Sequence, residues 1–205
     1  MQIWHEWLLG GPWKGPTIGM PFFETSPVRP DALSPLSLCN KVLVPTAWAQ
    51  GVLAESGIAA DYVPFVGYDP ETFKPGEPNI ETPGFTFLHV GKYEVRKGID
   101  LVLKAFSKMV HEGNDVYLWL AADNPFHYKW YGALMARIVD VGLIDGEQRV
   151  FVLHRKPRHT DIADLYRSVD AVVQPSRAEG FGLPALEALA CDKPVAATNI
   201  TGHSE

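Results

Sequence analysis

The 205-residue sequence is poor in cysteine and in basic charge, and it has no long apolar run. Its two cysteines, Cys39 and Cys191, lie too far apart in the chain to suggest a disulfide framework, so a reducing environment is expected. The formal net charge of −6 argues against a broad nucleic-acid-binding surface. The longest apolar run, Val116 to Ala122, is far shorter than a membrane-spanning helix, and no signal peptide is recognised after Met1. We expect a cytoplasmic globular protein and leave peripheral association with a membrane open.

The sequence also lacks the usual signatures of metal and dinucleotide sites. Its seven histidines show no metal-ligand spacing, and Asp-x-Asp occurs nowhere. No Gly-x-Gly-x-x-Gly follows a predicted strand, which disfavours a dinucleotide-dependent oxidoreductase. We therefore predict a site that works without a metal ion or a resident cofactor.

A regular alternation of strand and helix patterns follows a turn-rich stretch, Tyr68 to Asn79, which is predicted to be a linker. The alternation predicts an α/β domain with a Rossmann-like parallel sheet and helices on both faces. Weaker patterns before the linker predict a partial second α/β domain, and we place the boundary between residues 80 and 81. Thr46 is the predicted N-cap of a helix there. The predicted strands are 41–45, 62–65, 85–90, 116–121, 149–153, 170–174 and 194–198, and the predicted helices are 48–56, 99–111, 128–141, 160–168 and one opening near residue 183.

The most informative motif is Arg177-Ala-Glu-Gly-Phe-Gly-Leu-Pro-Ala-Leu-Glu187, which follows a predicted buried strand. Its glycines permit a sharp turn and a close approach to a ligand, and Pro184 suits the first turn of the next helix. The amide groups and dipole of that first turn form a ready anion site. Glu179 and Glu187 would repel an anion, so they are predicted to accept hydrogen bonds from hydroxyl groups. The alternative is an ordinary amphipathic helix with two solvated glutamates.

A second motif, Leu88-His-Val-Gly-Lys-Tyr-Glu-Val-Arg-Lys-Gly98, places basic residues between a predicted strand and a predicted helix. Ligands of open α/β sheets bind outside the carboxyl ends of the strands, so this loop is predicted to face the same crevice as the first motif. The alternative is a solvated basic loop.

At these residues the chain resembles the donor-binding half of GT-B glycosyltransferases, and most closely the retaining family four, also called group 1. That family carries two glutamates eight positions apart with Gly-Phe-Gly-Leu-Pro between them. The resemblance implies that Glu179 contacts the transferred sugar, that Glu187 contacts the ribose, and that the segment from Gly180 through Phe181, Gly182 and Leu183 contacts sugar and phosphate. It also implies that Glu179 and Lys97 take part in catalysis.

The family usually has Gly-Arg, followed by Lys-Gly, where this chain has Gly91-Lys92 and Lys97-Gly98. The resemblance implies that Gly91, Lys92 and Lys97 hold the donor diphosphate. Lysine in place of arginine keeps the charge but loses the planar fork that grips phosphate at two points. Lys97 is therefore preferred to Lys92 as the diphosphate ligand, and Arg96 is a candidate to take the place of Lys92. A donor contact from Arg155 or Lys156 is also implied.

The implied activity is transfer of a sugar from a UDP-, GDP- or ADP-sugar to a glycan, lipid or protein hydroxyl, with retention and without metal. The resemblance covers residues 81–205 as the nucleotide-sugar-binding domain and 1–80 as a remnant of the acceptor-side domain with the interdomain hinge. We expect the last helices of the donor domain to be absent, so the chain is either a fragment or a minimal form. The aromatic residues Trp4, Trp7, Trp13, Phe22 and Phe23 are expected to be exposed, which favours a homo-oligomer or a completing partner domain.

Two alternatives remain at this stage. One is a sugar-nucleotide epimerase with the same fold. The other is a donor-binding module or subunit that is catalytically incomplete.

Overall fold

The computed structural model describes residues 15–143, 149–154 and 156–205. The chain divides into two compact units. The first contains the described residues up to Gly67 together with Ala178–Gly182 and Asn199–Glu205. The second contains Tyr68–Arg177 and Leu183–Thr198. The boundary predicted between residues 80 and 81 stays a prediction.

The elements of the first unit in chain order are β1 (Ile18–Gly19), α1 (Pro30–Ser37), β2 (Lys41–Val44), α2 (Ala47–Glu55) and β3 (Asp61–Tyr62). Its strands form a small parallel sheet with the order β1-β2-β3. Thr46 caps α2 as predicted, because its side-chain oxygen accepts a hydrogen bond from the Ala49 amide at 3.1 Å. A 3-10 helix, Thr201–His203, belongs to the same unit.

The elements of the second unit in chain order are β4 (Phe85–Val90), α3 (Ile99–His111), β5 (Val116–Ala121), α4 (Trp130–Asp140), β6 (Val150–Val152), α5 (His159–Ser168), β7 (Ala171–Gln174), α6 (Leu183–Ala190) and β8 (Val195–Ala197). A short 3-10 helix, Val95–Lys97, lies between β4 and α3. The strands form a five-stranded parallel sheet with the order β6-β5-β4-β7-β8, which confirms the predicted Rossmann-like α/β class.

Helices cover both faces of this sheet. Side chains of β5 alternate between the faces: Leu118 and Leu120 pack in one core with α3 and α4, whereas Trp119 packs in a second core with α5 and α6. The predicted linker is irregular in structure, but Phe73 anchors it, since this ring is buried in the second core beside Tyr166. Both faces of the sheet are therefore covered by helices, and the ends of its strands are where a ligand can bind.

One expectation about the first unit is wrong, and two of its elements were not predicted. Phe22 and Phe23 are half-buried rather than exposed, because Phe22 packs edge-on against Phe65 and Phe23 packs against Trp48. The three tryptophans cited with them lie outside the described residues. Helix α1 and strand β1 were not predicted. The prolines that open and interrupt α1 are typical of loops, although the first helical turn accepts proline.

Candidate functional site

The strand order of the second unit places β4 and β7 side by side at the centre of the sheet. Connections run outward in opposite directions from these two strands, so their carboxyl ends form the switch point where open α/β sheets bind ligands. The residues that leave β4 are 91–98 of the second motif, and β7 continues into Pro175, Ser176 and Arg177. Sequence motif and topology thus agree on this position.

Lys97 is held at the end of β4 and is only 8% exposed. Its aliphatic stem lies over Gly91: a Cβ added to Gly91 would be 3.2 Å from Lys97 Cδ and 3.3 Å from Cγ. A side chain at position 91 would therefore require the lysine stem to shift by a few tenths of an ångström. A lysine is rarely this buried unless its ammonium group is paired, so its placement is a specific feature of the fold.

The β4–α3 loop and the residues after β7 are tied together at several points. Gly98 has φ of 70°, and a Cβ there would lie 2.2 Å from the Pro175 carbonyl oxygen, so only glycine fits. The Arg177 amide donates to Arg96 O at 2.7 Å, and its guanidinium donates to Val95 O and to both Asp100 carboxylate oxygens, each at 2.7–2.8 Å. Through this hydrogen bond, Arg177 holds the pKa of Asp100 below its usual value. These contacts fix the turn that carries Lys97.

Lys92, the other predicted diphosphate ligand, is exposed. Its ammonium group pairs with Glu94 at 3.1 Å and lies 5.3 Å from the centre of the Phe126 ring. Arg96, named as a substitute, also pairs with Glu94, at 3.4 Å. The structure therefore separates the two predicted lysines by environment, since only Lys97 is buried at the strand ends.

Glu187 lies in α6, one turn beyond Leu183 and Pro184, which open the helix as predicted. Tyr166 of α5 is fully buried and donates a hydrogen bond to Glu187 Oε2 at 3.2 Å. Burial raises the pKa of the Glu187 carboxyl, while the Tyr166 hydrogen bond and the charge of His159 act in the opposite direction. Burial, with the Glu187 charge adding to it, raises the pKa of Tyr166 well above its usual value, so this hydroxyl stays a donor. Tyr166 was not predicted as a site residue, because its pattern is that of a core helix position.

Glu179, Gly180, Phe181 and Gly182 belong to the first unit, where they pack on the Thr201–His203 turn. The Glu179 amide donates to Thr201 Oγ1 at 2.9 Å, and its carbonyl accepts from the Gly202 amide at 2.8 Å. Glu179 itself is 6% exposed. Both the amide and the carbonyl of Glu179 are therefore held by the Thr201–His203 turn.

Glycine is required on both sides of that contact. Gly182 has φ of 92°, and a Cβ there would lie 2.2 Å from the His203 ring. A Cβ on Gly202 would lie 2.4 Å from the Gly180 carbonyl carbon and 2.6 Å from the Phe181 nitrogen. The Gly-Phe-Gly sequence thus meets Gly202 backbone to backbone. Thr201 and His203 were not predicted as site residues.

Arg155 lies outside the described residues. Among the residues that are described, no group of three or more His, Cys, Asp or Glu side chains is placed to hold a metal ion. Within the same part of the chain, every helix is too short or too polar to cross a membrane.

The model of the family "Glycosyl transferases group 1" matches residues 84–205, which is more than half of the chain. The chain belongs to the group 1 glycosyl transferases. This group 1 chain is 34% identical over 170 residues to D-inositol 3-phosphate glycosyltransferase 1 of Catenulispora acidiphila, covering 75% of the chain and 39% of the relative. It is 33% identical over 170 residues to the lipopolysaccharide core biosynthesis mannosyltransferase LpsB of Rhizobium meliloti, covering 75% and 46%.

Among solved structures, a glycosyltransferase from Rickettsia africae superposes with a TM-score of 0.72 at 20% identity, covering 90% of this chain and 52% of that one. This likeness supports the GT-B fold. The group 1 chain spans less than half the length of either curated relative. The family and fold predictions are therefore confirmed, whereas the roles of the individual site residues stay predictions.

Proposed function

We propose that this chain supplies the donor side of a glycosyltransferase and binds a UDP-, GDP- or ADP-sugar without a metal ion. The observation that carries the proposal is the buried Lys97 at the switch point between β4 and β7, in a chain of the group 1 family. A cation fixed at the carboxyl ends of parallel strands is suited to a diphosphate, because the charge is in place before the ligand arrives.

In the transfer step, the bond between the anomeric carbon and the diphosphate oxygen breaks, a bond to the acceptor oxygen forms, and the proton of the acceptor hydroxyl passes to the departing diphosphate. Negative charge grows on the departing nucleoside diphosphate as this happens. Lys97 and the amide groups of the first turn of α6 are the groups proposed to stabilise that charge. We propose that this role needs no metal, because the ammonium group and the helix amides together direct positive charge at the diphosphate.

The two glutamates are proposed to bind the hydroxyl-bearing ends of the donor. Carboxylates accept hydrogen bonds, so they suit sugar hydroxyls and not phosphate. Glu179 is proposed to contact the transferred sugar and Glu187 the ribose. Tyr166 supports the second role, since its hydrogen bond orients the Glu187 carboxylate through Oε2.

Transfer with retention to a glycan, lipid or protein hydroxyl is proposed for the functional protein and not for this chain by itself. Holding the acceptor hydroxyl against the anomeric carbon can lower a barrier by about 7–11 kcal/mol. The motifs described above concern the donor only. We therefore expect the isolated chain to bind donor and to transfer little or none of it, which an assay with radiolabelled donor and mixed acceptors measures.

Calorimetry in EDTA with UDP, GDP, ADP and their sugar conjugates tests the proposal. Loss of a charged hydrogen-bond donor costs about 1.5–3 kcal/mol, so Lys97→Met should weaken binding about 10- to 150-fold. Lys104→Met is the matched control, because Lys104 is an exposed lysine on α3.

Absence of binding to every compound by folded wild-type chain would contradict donor binding. Equal losses in the Lys97 and Lys104 variants would contradict the role of Lys97. Binding that EDTA abolishes and Mn²⁺ restores would contradict metal independence.

A further inference from the structure

The central pair of strands in the second unit separates at its carboxyl end. Pairing between β4 and β7 stops at Leu88 opposite Val172. On the outer sides the same strands stay paired to their ends, through Val90 opposite Ala121 and Gln174 opposite Ala197. The sheet therefore opens between its two middle strands.

Proline limits how far this pairing could extend. In a parallel ladder with Leu88 opposite Val172, the pair after His89 and Val173 would be Val90 opposite Gln174. That pair needs an acceptor at Val173 O and a bond from the amide of residue 175 to Val90 O. Residue 175 is proline and has no N–H to donate. Backbone pairing between the two strands therefore cannot extend to their last residues.

Two buried side chains bond the two carbonyls of that pair. Gln174 Nε2 donates to Val90 O at 3.1 Å, and His89 Nδ1 lies 2.8 Å from Val173 O. A carbonyl can only accept, so Nδ1 must carry the hydrogen. His89 and Gln174 are 0% and 1% exposed.

The two side chains reach these carbonyls from opposite faces of the sheet. His89 alternates with Leu88, which packs in the α5 and α6 core, and therefore lies on the α3 and α4 face. Gln174 lies two residues after Val172 on β7, so its side chain lies on the same face as Val172, which packs in the α5 and α6 core. Together they hold the separated strand ends at a defined spacing.

Residues of both strands at this opening lie close to Lys97 or to the residue after it. A Cβ on Gly91 would lie 3.5 Å from His89 Nε2, on the side where the Lys97 stem packs. On the other strand, the Pro175 carbonyl contacts Gly98, the residue that follows Lys97. A change in the spacing of β4 and β7 would therefore move the residues that Lys97 and Gly98 pack against.

We propose that His89 and Gln174 are positioning residues for the diphosphate: they hold β4 and β7 apart so that Lys97 stands over the end of β4. The inference rests on the proposed function. It also assigns a function to two buried polar residues that an apolar core would not need.

The experiment removes each donor while keeping the side chain's size. His89→Phe keeps a ring without the donor, and Gln174→Met keeps the length without the donor. His89→Asn is the rescue variant, because its amide nitrogen occupies the place of Nδ1. Leu118→Ala is the control, since Leu118 is fully buried in β5 and makes no bond across the opening. Dissociation constants are measured by calorimetry for whichever of UDP, GDP and ADP the wild type binds best, and for the matching nucleoside. Melting temperatures are recorded alongside.

We expect His89→Phe and Gln174→Met to weaken the nucleoside diphosphate about tenfold and to leave the nucleoside unchanged. His89→Asn should retain diphosphate affinity, and Leu118→Ala should lower the melting temperature without changing affinity. Wild-type diphosphate affinity in both donor-less variants would overturn the inference, and so would an equal loss in Leu118→Ala. If His89→Phe does not fold, Gln174→Met decides alone by the same criteria. A wild-type chain that binds no diphosphate would overturn the proposed function itself, which is a different result.

Discussion

Alanine substitutions at the two ends of α3 separate backbone strain from steric conflict. Gly98 precedes the helix with φ of 70°, and Gly113 follows it with φ of 85°. Both conformations disfavour a residue with a Cβ by about 1–2 kcal/mol. Alanine also restricts the unfolded chain, which offsets about 0.4–1 kcal/mol of that cost. Gly113→Ala should therefore lower the free energy of unfolding by about 1 kcal/mol, because a Cβ there meets nothing within 4 Å.

Gly98→Ala carries the same strain and a second cost. Its Cβ would stand 2.2 Å from the Pro175 carbonyl oxygen, a backbone atom that no side-chain rotation can move. Forcing extra volume into packed structure costs about 1–3 kcal/mol, so the total loss should be about 2–4 kcal/mol. The Arg177 hydrogen bonds to Val95 and Asp100 resist any separation of the loop from the end of β7.

Urea unfolding followed by far-ultraviolet circular dichroism measures both variants against wild type. Diphosphate affinity should fall in Gly98→Ala and stay at the wild-type level in Gly113→Ala, because only the first touches the Lys97 turn. Equal unfolding free energies for the two variants would refute the steric argument.

Three further predictions concern single side chains. Because burial raises the pKa of Glu187, the folded chain keeps the carboxyl proton at pH values where the unfolded chain has lost it. The stability that results from this proton binding is complete below the ordinary glutamate range and is lost as pH rises through the raised pKa. The unfolding free energy of Glu187→Gln relative to wild type should thus increase as pH rises from the ordinary glutamate range, and a difference independent of pH would contradict this. Thr46→Ala should lower unfolding free energy by about 1–2 kcal/mol and Thr46→Ser should restore most of it, since the buried hydroxyl caps α2; a Ser variant as unstable as Ala would exclude the cap. In calorimetry, Glu179→Gln should weaken a sugar conjugate by about 1 kcal/mol more than the bare diphosphate, whereas Glu187→Gln should weaken both alike, and identical patterns in the two variants would disprove the assigned roles.

Sequence patterns predicted β4, α3 and β5 with the bounds that the structure shows. Their signal is strong because buried parallel strands are continuous apolar runs and α3 has a clear apolar face. Other helices and strands differed by one to three residues at their ends, where terminal turns depend on tertiary contacts. Strand β1 has two residues, too few for any period to show.

The candidate site was predicted less completely than the fold. A lysine in a basic loop is normally solvated, and the burial of Lys97 results from packing on Gly91, which no local pattern reveals. Gly182 was predicted to allow a turn, and its φ of 92° agrees with that; the His203 ring, from a residue 21 positions later in the chain, is a second reason for glycine that the sequence did not reveal. Tyr166 reaches Glu187 from another helix. Such pairings come from the assembled fold, so single-sequence reasoning finds one partner and misses the other.

The membership of the Gly180 loop in the first unit has a consequence for dissecting this protein. The chain passes between the two units four times, so no single cleavage releases either one whole. A polypeptide beginning at residue 84 would include everything the family model matches. It would lack the Phe23 carbonyl, which a Cβ on Gly180 would approach to 3.1 Å, and the Trp48 amide that donates to Glu205 at 2.8 Å. The stretch that the family model matches therefore loses contacts that its Gly180 loop and its last residue make with earlier parts of the chain.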